Sequence, residues 1–149
     1  MGIFCILKST QNILCEESIN MNQWYEQLKK PSWSPPAKVF GPVWSFLYLI
    51  IVITFGFVIY LFSTSQILWI VFLPFLLNIV FNIAFTPLQF GLRNNYLALI
   101  DIILVLTTLI WAILGIYNTA PWVSFANIPY LLWVAFATVL QAAITWLNR

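Results

Sequence analysis

Residues 43–62 read VWSFLYLIIVITFGFVIYLF, a run with no charged side chain, and three more runs of the same kind follow it. The second extends from about Ile67 to Thr86, the third from about Tyr96 to Tyr117 and the fourth from about Trp122 to Leu147. Between Val39 and Asn148 the only charged residues are Arg93 and Asp101. A helix needs roughly 20 apolar residues to cross the hydrocarbon layer of a bilayer, and each run supplies them. A chain of 149 residues has no soluble core large enough to hide so much apolar surface. Strands would have to close a barrel and alternate apolar with polar positions, which these runs do not do. The expected fold is therefore all-α: a polytopic bundle of four transmembrane helices.

Composition excludes several functions. Hydrophobic residues make up 62% and charged residues 7% of the chain, against roughly 45–50% and about 25% in soluble domains. The net charge of +2 is small and scattered, so nucleic acid is not an expected partner. The absence of histidine removes both the commonest general base and the commonest metal ligand. No metal site and no catalytic residue is assigned. Cys5 and Cys15, with no histidine beside them, do not form a zinc pattern and are read as free thiols, with a disulfide between them as the alternative. Ile6 stands where an N-myristoylation signal has Ser or Thr. Ile3–Leu7 is too short for a signal peptide, and Lys8 interrupts it.

Turn chemistry separates the runs at Ser63-Thr64-Ser65-Gln66, at Gly91 to Asn95 and at Asn118 to Pro121. Pro74 and Pro129 fall inside expected spans, as kinks whose freed carbonyls neighbouring helices must satisfy. Lys8, Lys29, Lys30 and Lys38 precede the first span, Arg93 follows the second and Arg149 the fourth. All basic residues thus fall on one side, and the positive-inside rule makes that side cytoplasmic, both termini included. Residues 1–22 carry Lys8, Gln11, Asn12, Glu16 and Glu17, whose insertion cost argues against another span there. They are expected to form a polar N-terminal arm ahead of a membrane domain spanning residues 23–149.

Before the first span lies a stiff connector: Trp24-Tyr25, then Leu28-Lys29-Lys30-Pro31-Ser32-Trp33-Ser34-Pro35-Pro36, then Val39-Phe40-Gly41-Pro42-Val43-Trp44 and Leu47-Tyr48. Pro42 suits a first helical turn, where its missing N–H costs nothing. Trp24, Tyr25 and Trp33 are residues that settle at headgroup level. Both an interfacial anchor and a lid over a ligand fit this composition.

With these motifs the sequence resembles the TspO/translocator-protein family, also known as tryptophan-rich sensory proteins or peripheral-type benzodiazepine receptors. The resemblance continues through Asn82, Thr86-Pro87-Leu88, Phe90-Gly91-Leu92-Arg93 and Ala98-Leu99-Ile100-Asp101-Ile102. It closes with Pro129-Tyr130-Leu131-Leu132-Trp133 and Phe136-Ala137. The motifs run in register from about Trp24 to the C-terminus. The family has five helices, the first ahead of the connector. Here that region is the polar arm, so the family's first helix is expected to be missing or atypical. Lys38 and Phe85 stand where the family usually has tryptophan, Gln89 where it has phenylalanine, Gln141 where it has asparagine and Asn78 where it has glutamine.

Asn78, Asn82, Thr86 and Gln89 follow at helical spacing and share one face. Facing lipid would be costly, so this stripe points inward, to serve interhelical hydrogen bonding or a pocket wall. Trp133, Ala137 and Gln141 form a second stripe, whose small Ala137 suits either a groove or close helix packing. Trp44 and Tyr48 form a third. Such faces suit a flat, mostly apolar ligand fixed by a few polar contacts. The resemblance implies a site for porphyrin, sterol or benzodiazepine-type ligands among the helices. Its expected residues are Trp33, Trp44, Tyr48, Asn78, Asn82, Phe85, Trp133, Phe136 and Ala137.

Asp101, early in the third span, is placed to pair with Arg93 or cap a neighbouring helix; a proton relay would need further ionisable groups at depth. The sterol-recognition pattern of Leu/Val, Tyr and Lys/Arg is missing around Tyr130, since the next basic residue is Arg149. The expected function is a membrane receptor or carrier for tetrapyrroles or other flat hydrophobic ligands. No cofactor is expected beyond a tetrapyrrole as ligand, and the partners are that small molecule, the bilayer and, by resemblance, a second copy in a homodimer. The alternative is a light-dependent porphyrin-degrading enzyme, in which an excited porphyrin reacts beside Trp44 and Trp133. Secondary transport lacks the internal repeats, broken helices and ion ligands it requires.

Overall fold

Pro35 and Pro36 hold the chain extended, with Pro36 at φ −63° and ψ 143°, and the first helix starts immediately after them. The computed structural model describes residues 27–148. The polar arm, both cysteines, Trp24 and Tyr25 lie outside the described residues. Helix α1 spans Ala37–Ser63, α2 Trp69–Thr86, α3 Asn95–Ile116, α4 Pro121–Ala126 and α5 Ile128–Leu147. A π-helical turn, Pro87–Gly91, continues α2. Among the described residues there is no strand, and four helices are long and apolar enough to cross a membrane. At most 39% of the apolar window of any of these is buried within the protein, so most of their apolar surface is left for lipid.

Three boundaries differ from the sequence expectation. Helix α1 begins at Ala37 rather than near Val43, so Pro42 lies in its second turn and not its first. There it deprives the Lys38 carbonyl of its helical donor. The expected fourth span from Trp122 is in fact two helices. Asn127, at φ −88° and ψ 0°, ends α4, and Pro129 falls in the opening turn of α5 rather than at a mid-span kink. Proline suits that position because the first helical N–H groups have no internal partner. The break is satisfied locally: Asn127 Nδ2 donates to the Val123 carbonyl at 2.8 Å, while Thr54 Oγ1, which donates to the Ile50 carbonyl at 2.8 Å, lies 3.5 Å from Asn127 Oδ1. The third difference is the π turn. Pro87 has no N–H for the Ile83 carbonyl, and the Leu92 amide instead reaches back five residues to the Pro87 carbonyl at 2.9 Å.

Tight connections then alternate the helix directions. Ser65 takes a left-handed φ of 56° after α1, and Arg93 one of 51° before α3. Asn94 caps α3, its side chain accepting from the Tyr96 and Leu97 amides at 3.0 and 3.2 Å. Helix α3 is the centre of the bundle and packs closely on α2 and α5. Leu109, Ala112, Ile116, Val123, Tyr130 and Val134 are completely enclosed there. Helix α1 leans on α2, α4 and α5 through far fewer close approaches. The space left on its inner side is where the cavity lies.

Candidate ligand cavity

The cavity has a volume of about 350 Å³ and four helical walls. From α1 come Phe40, Trp44 and Tyr48, one turn apart. From α2 and its π turn come Asn82, Phe85, Thr86, Gln89 and Phe90. Ile102 and Val105 belong to α3, while Val134, Ala137, Leu140, Gln141 and Ile144 belong to α5. Aromatic and aliphatic side chains dominate, with a few amides and hydroxyls, the usual make-up of a small-molecule site of 300–1,000 Å³.

Two polar networks border it. In the first, Tyr48 Oη donates to Asn82 Oδ1 at 3.2 Å and Asn82 Nδ2 to Tyr130 Oη at 2.8 Å. Tyr130 Oη in turn donates to Asn78 Oδ1 at 2.9 Å. Asn78 Nδ2 ends the chain on the Val105 carbonyl at 2.9 Å and Thr108 Oγ1 at 3.2 Å. In the second, Gln141 Nε2 donates to Gln89 Oε1 at 2.9 Å, and Gln89 Nε2 to Asn95 Oδ1 at 3.2 Å. Thr145 Oγ1 reaches the Asn95 carbonyl at 3.1 Å. Gln89 lies within the π turn and is 1% exposed, on the same inward face as Asn78 and Asn82.

Of the residues the sequence marks for a site, Trp44, Tyr48, Asn82, Phe85 and Ala137 line the cavity. Asn78 does not: it is buried between α2 and α3, making interhelical hydrogen bonds. Trp33, Phe136 and Trp133 stand behind the wall as a chain of rings. Trp33 meets Phe136 edge-on at 5.9 Å, Phe136 lies 5.6 Å from Trp133, and Trp133 meets Phe40 edge-on at 5.7 Å. Trp133 Nε1 is buried without a hydrogen-bond partner. The connector is also tied to the end of α5. Asn148 Oδ1 accepts from the Lys29 amide at 3.0 Å, and its Nδ2 donates to the Lys29 carbonyl at 2.9 Å.

Sequence reading missed Phe40 and Tyr130. Extending the Trp44–Tyr48 stripe back by one turn would have found Phe40. Tyr130 carries a hydroxyl in an otherwise apolar turn, a signal that a buried partner is waiting. The expected pairing of Asp101 with Arg93 is not formed: Asp101 is buried, its Oδ2 has no partner, and Arg93 is exposed in the α2–α3 connection.

Four membrane-length helices around an apolar, amide-studded cavity define an integral, multi-pass membrane protein with an internal cavity of small-molecule size. The chain belongs to the TspO/MBR family, which it matches over residues 3–147. That match extends further toward the N-terminus than the motifs beginning at Trp24. It is similar to the tryptophan-rich protein TspO of Bacillus cereus, at 37% identity over 84% of this chain and 80% of that protein. The human translocator protein is 34% identical over 82% of this chain and 73% of its own length. The tryptophan-rich sensory protein of Cereibacter sphaeroides is 28% identical over 85% and 78%.

Proposed function

We propose that this protein is a membrane receptor or carrier that holds a tetrapyrrole, or another flat hydrophobic molecule such as a sterol, in the cavity between α1 and the α2–α3–α5 core. The observation that carries this reading is the cavity itself: about 350 Å³, apolar on most of its surface, with amides grouped at two places. A planar ligand gains stacking on Trp44, Phe40 and Phe85 and orientation from Asn82 or Gln89. Ligand exchange would pass beside α1, the helix least tied to its neighbours. Protoporphyrin added to the protein in lipid nanodiscs should quench tryptophan fluorescence saturably; a linear, unsaturable loss that equals partition into empty nanodiscs would sink the reading. Matched light and dark incubations with product analysis separate binding from the light-dependent degradation that Trp44 in the cavity wall would also suit.

The membrane orientation supported by the charge pattern puts both ends of the chain in the cytoplasm. Lys29, Lys30, Lys38 and Arg93 all lie at the end of the bundle where α1 and α3 start and α2 and α5 finish. Cysteines placed at Ser65 and Asn118 should be labelled from the face opposite to one placed at Lys38. A homodimer, as the family resemblance implies, should appear on crosslinking in bilayers, and monomer alone across a wide range of protein-to-lipid ratios counts against it.

A further inference from the structure

We infer that the side-chain carbonyl of Gln141 is a hydrogen-bond acceptor for the ligand, held in place by Asn95 and Gln89, and that the ligand meets it with an N–H or O–H group. This rests on the ligand-binding reading above and deepens it. It assigns a donor on the ligand to the end of the cavity where α3 starts and α2 and α5 finish. Gln89 and Gln141 stand where the family usually has phenylalanine and asparagine, so this pole belongs to the chain's own pattern.

The polarity follows from a backbone oxygen that cannot donate. Gln141 Nε2 lies 2.9 Å from Gln89 Oε1 and 3.4 Å from the Asn95 carbonyl. An amide nitrogen carries two N–H groups, and these two acceptors take both. Turning the Gln141 amide over would set its oxygen against the Asn95 carbonyl oxygen, and no rotation of Gln89 changes that. Gln89 follows in order: its Oε1 accepts from Gln141, so its Nε2 faces Asn95 Oδ1 at 3.2 Å. Gln141 Oε1 is left without a donor among the described residues, although the residue is only 5% exposed and lines the cavity. Among the described residues no hydrogen bond joins this cluster to the chain from Tyr48 to Asn78. A carbonyl oxygen enclosed in an apolar, lipid-embedded site without a donor is costly, and a ligand N–H or O–H relieves that cost. Gln89 Nε2 keeps a second N–H, so an acceptor elsewhere on the ligand is also accommodated, but Gln141 has no proton left to offer.

Carbazole and fluorene test this, being flat tricycles of nearly one shape, with an N–H in one where the other has CH2. Titrated into nanodiscs, with partition into empty discs subtracted, carbazole should bind the parent protein about 3- to 10-fold more tightly, the value of one net hydrogen bond. In Gln141→Met, which keeps the length of the side chain but not the carbonyl, the ratio should fall toward unity. Because the ratio is taken within one protein, a general loosening of the cavity cancels. The acceptor itself is read by solid-state NMR of protein labelled with 13Cδ-glutamine. The carboxamide resonance missing from Gln141→Met, or from Gln141→Asn should the first variant not fold, should move downfield with carbazole and stay in place with fluorene. Equal affinities in the parent, a preference that survives in folded Gln141→Met, or an unmoved Gln141 resonance with carbazole bound each overturn the inference and leave the ligand-binding reading standing. Should neither tricycle nor protoporphyrin saturate, that reading fails and this inference with it.

Discussion

Asn78 and Asn82 are the same residue type, one turn apart on one face of α2, yet the bundle uses them differently. Around Asn78, α2 and α3 are in close contact, and the amide is enclosed by Val105, Thr108 and Tyr130. Around Asn82 the neighbouring wall is α1, which stands off, and the amide borders the cavity instead. The same contrast holds for the two tyrosines of the network, Tyr130 fully enclosed and Tyr48 half exposed. Helix separation, not residue chemistry, divides structural polar groups from those available to a ligand.

Deleting one hydroxyl at each end should separate the two regions most widely. Tyr130→Phe leaves Asn78 Oδ1 and Asn82 Nδ2 without their partner and should destabilise the protein by about 2–6 kcal/mol, with each unsatisfied group costing about 1–3. Tyr48→Phe removes one exposed bond and should cost roughly 0.6 kcal/mol, the mean for such bonds in a membrane protein. Unfolding in mixed micelles followed by circular dichroism measures both, and equal losses would erase the distinction between the regions.

Filling the cavity should weaken binding without unfolding the protein. Ala137 lines the wall on α5, and Ala137→Leu should reduce protoporphyrin affinity by about 1–3 kcal/mol, the usual scale of overpacking. Parent-like affinity in a folded Ala137→Leu protein would remove the cavity from consideration as the site. Behind the wall, Trp133→Ala withdraws the edge contact that supports Phe40, so a smaller loss of about 0.5–1.5 kcal/mol is expected. Trp69, tilted against Phe62 and Phe72 at the opposite end, touches neither network nor cavity. Trp69→Ala should leave affinity unchanged, and a loss there as large as that at Trp133 would mean that quenching reports general disturbance rather than occupancy.

Much of this architecture was legible because lipid imposes a simple rule. Four apolar runs have to become helices, since only there are the backbone groups satisfied within the segment. The inward direction of the Asn82 stripe follows from the cost of amides in hydrocarbon. Boundaries were less legible where prolines lie near helix ends. Pro42 and Pro129 each fit more than one position, and the choice depended on what lay nearby: an extended Pro35-Pro36 pair before α1, and Thr54 across from Asn127. The π turn was not legible at all, although Pro87 supplies its cause, because the i to i+5 bond from Leu92 that replaces the lost donor is a matter of local geometry, not of residue type. Gln89 finds Gln141 and Asn95, from two other helices.

The chain alone therefore determined the number of long apolar helices beyond residue 27, the family and the polar faces, because these depend on composition and on spacing along one segment. Tertiary structure alone decided which of those polar residues are enclosed and which border the cavity. It also decided that Trp33, Trp133 and Phe136 back the wall rather than form it, and that Tyr130 links Asn78 to Asn82. Those outcomes depend on the distance between helices, and no single helix encodes how closely its neighbour approaches.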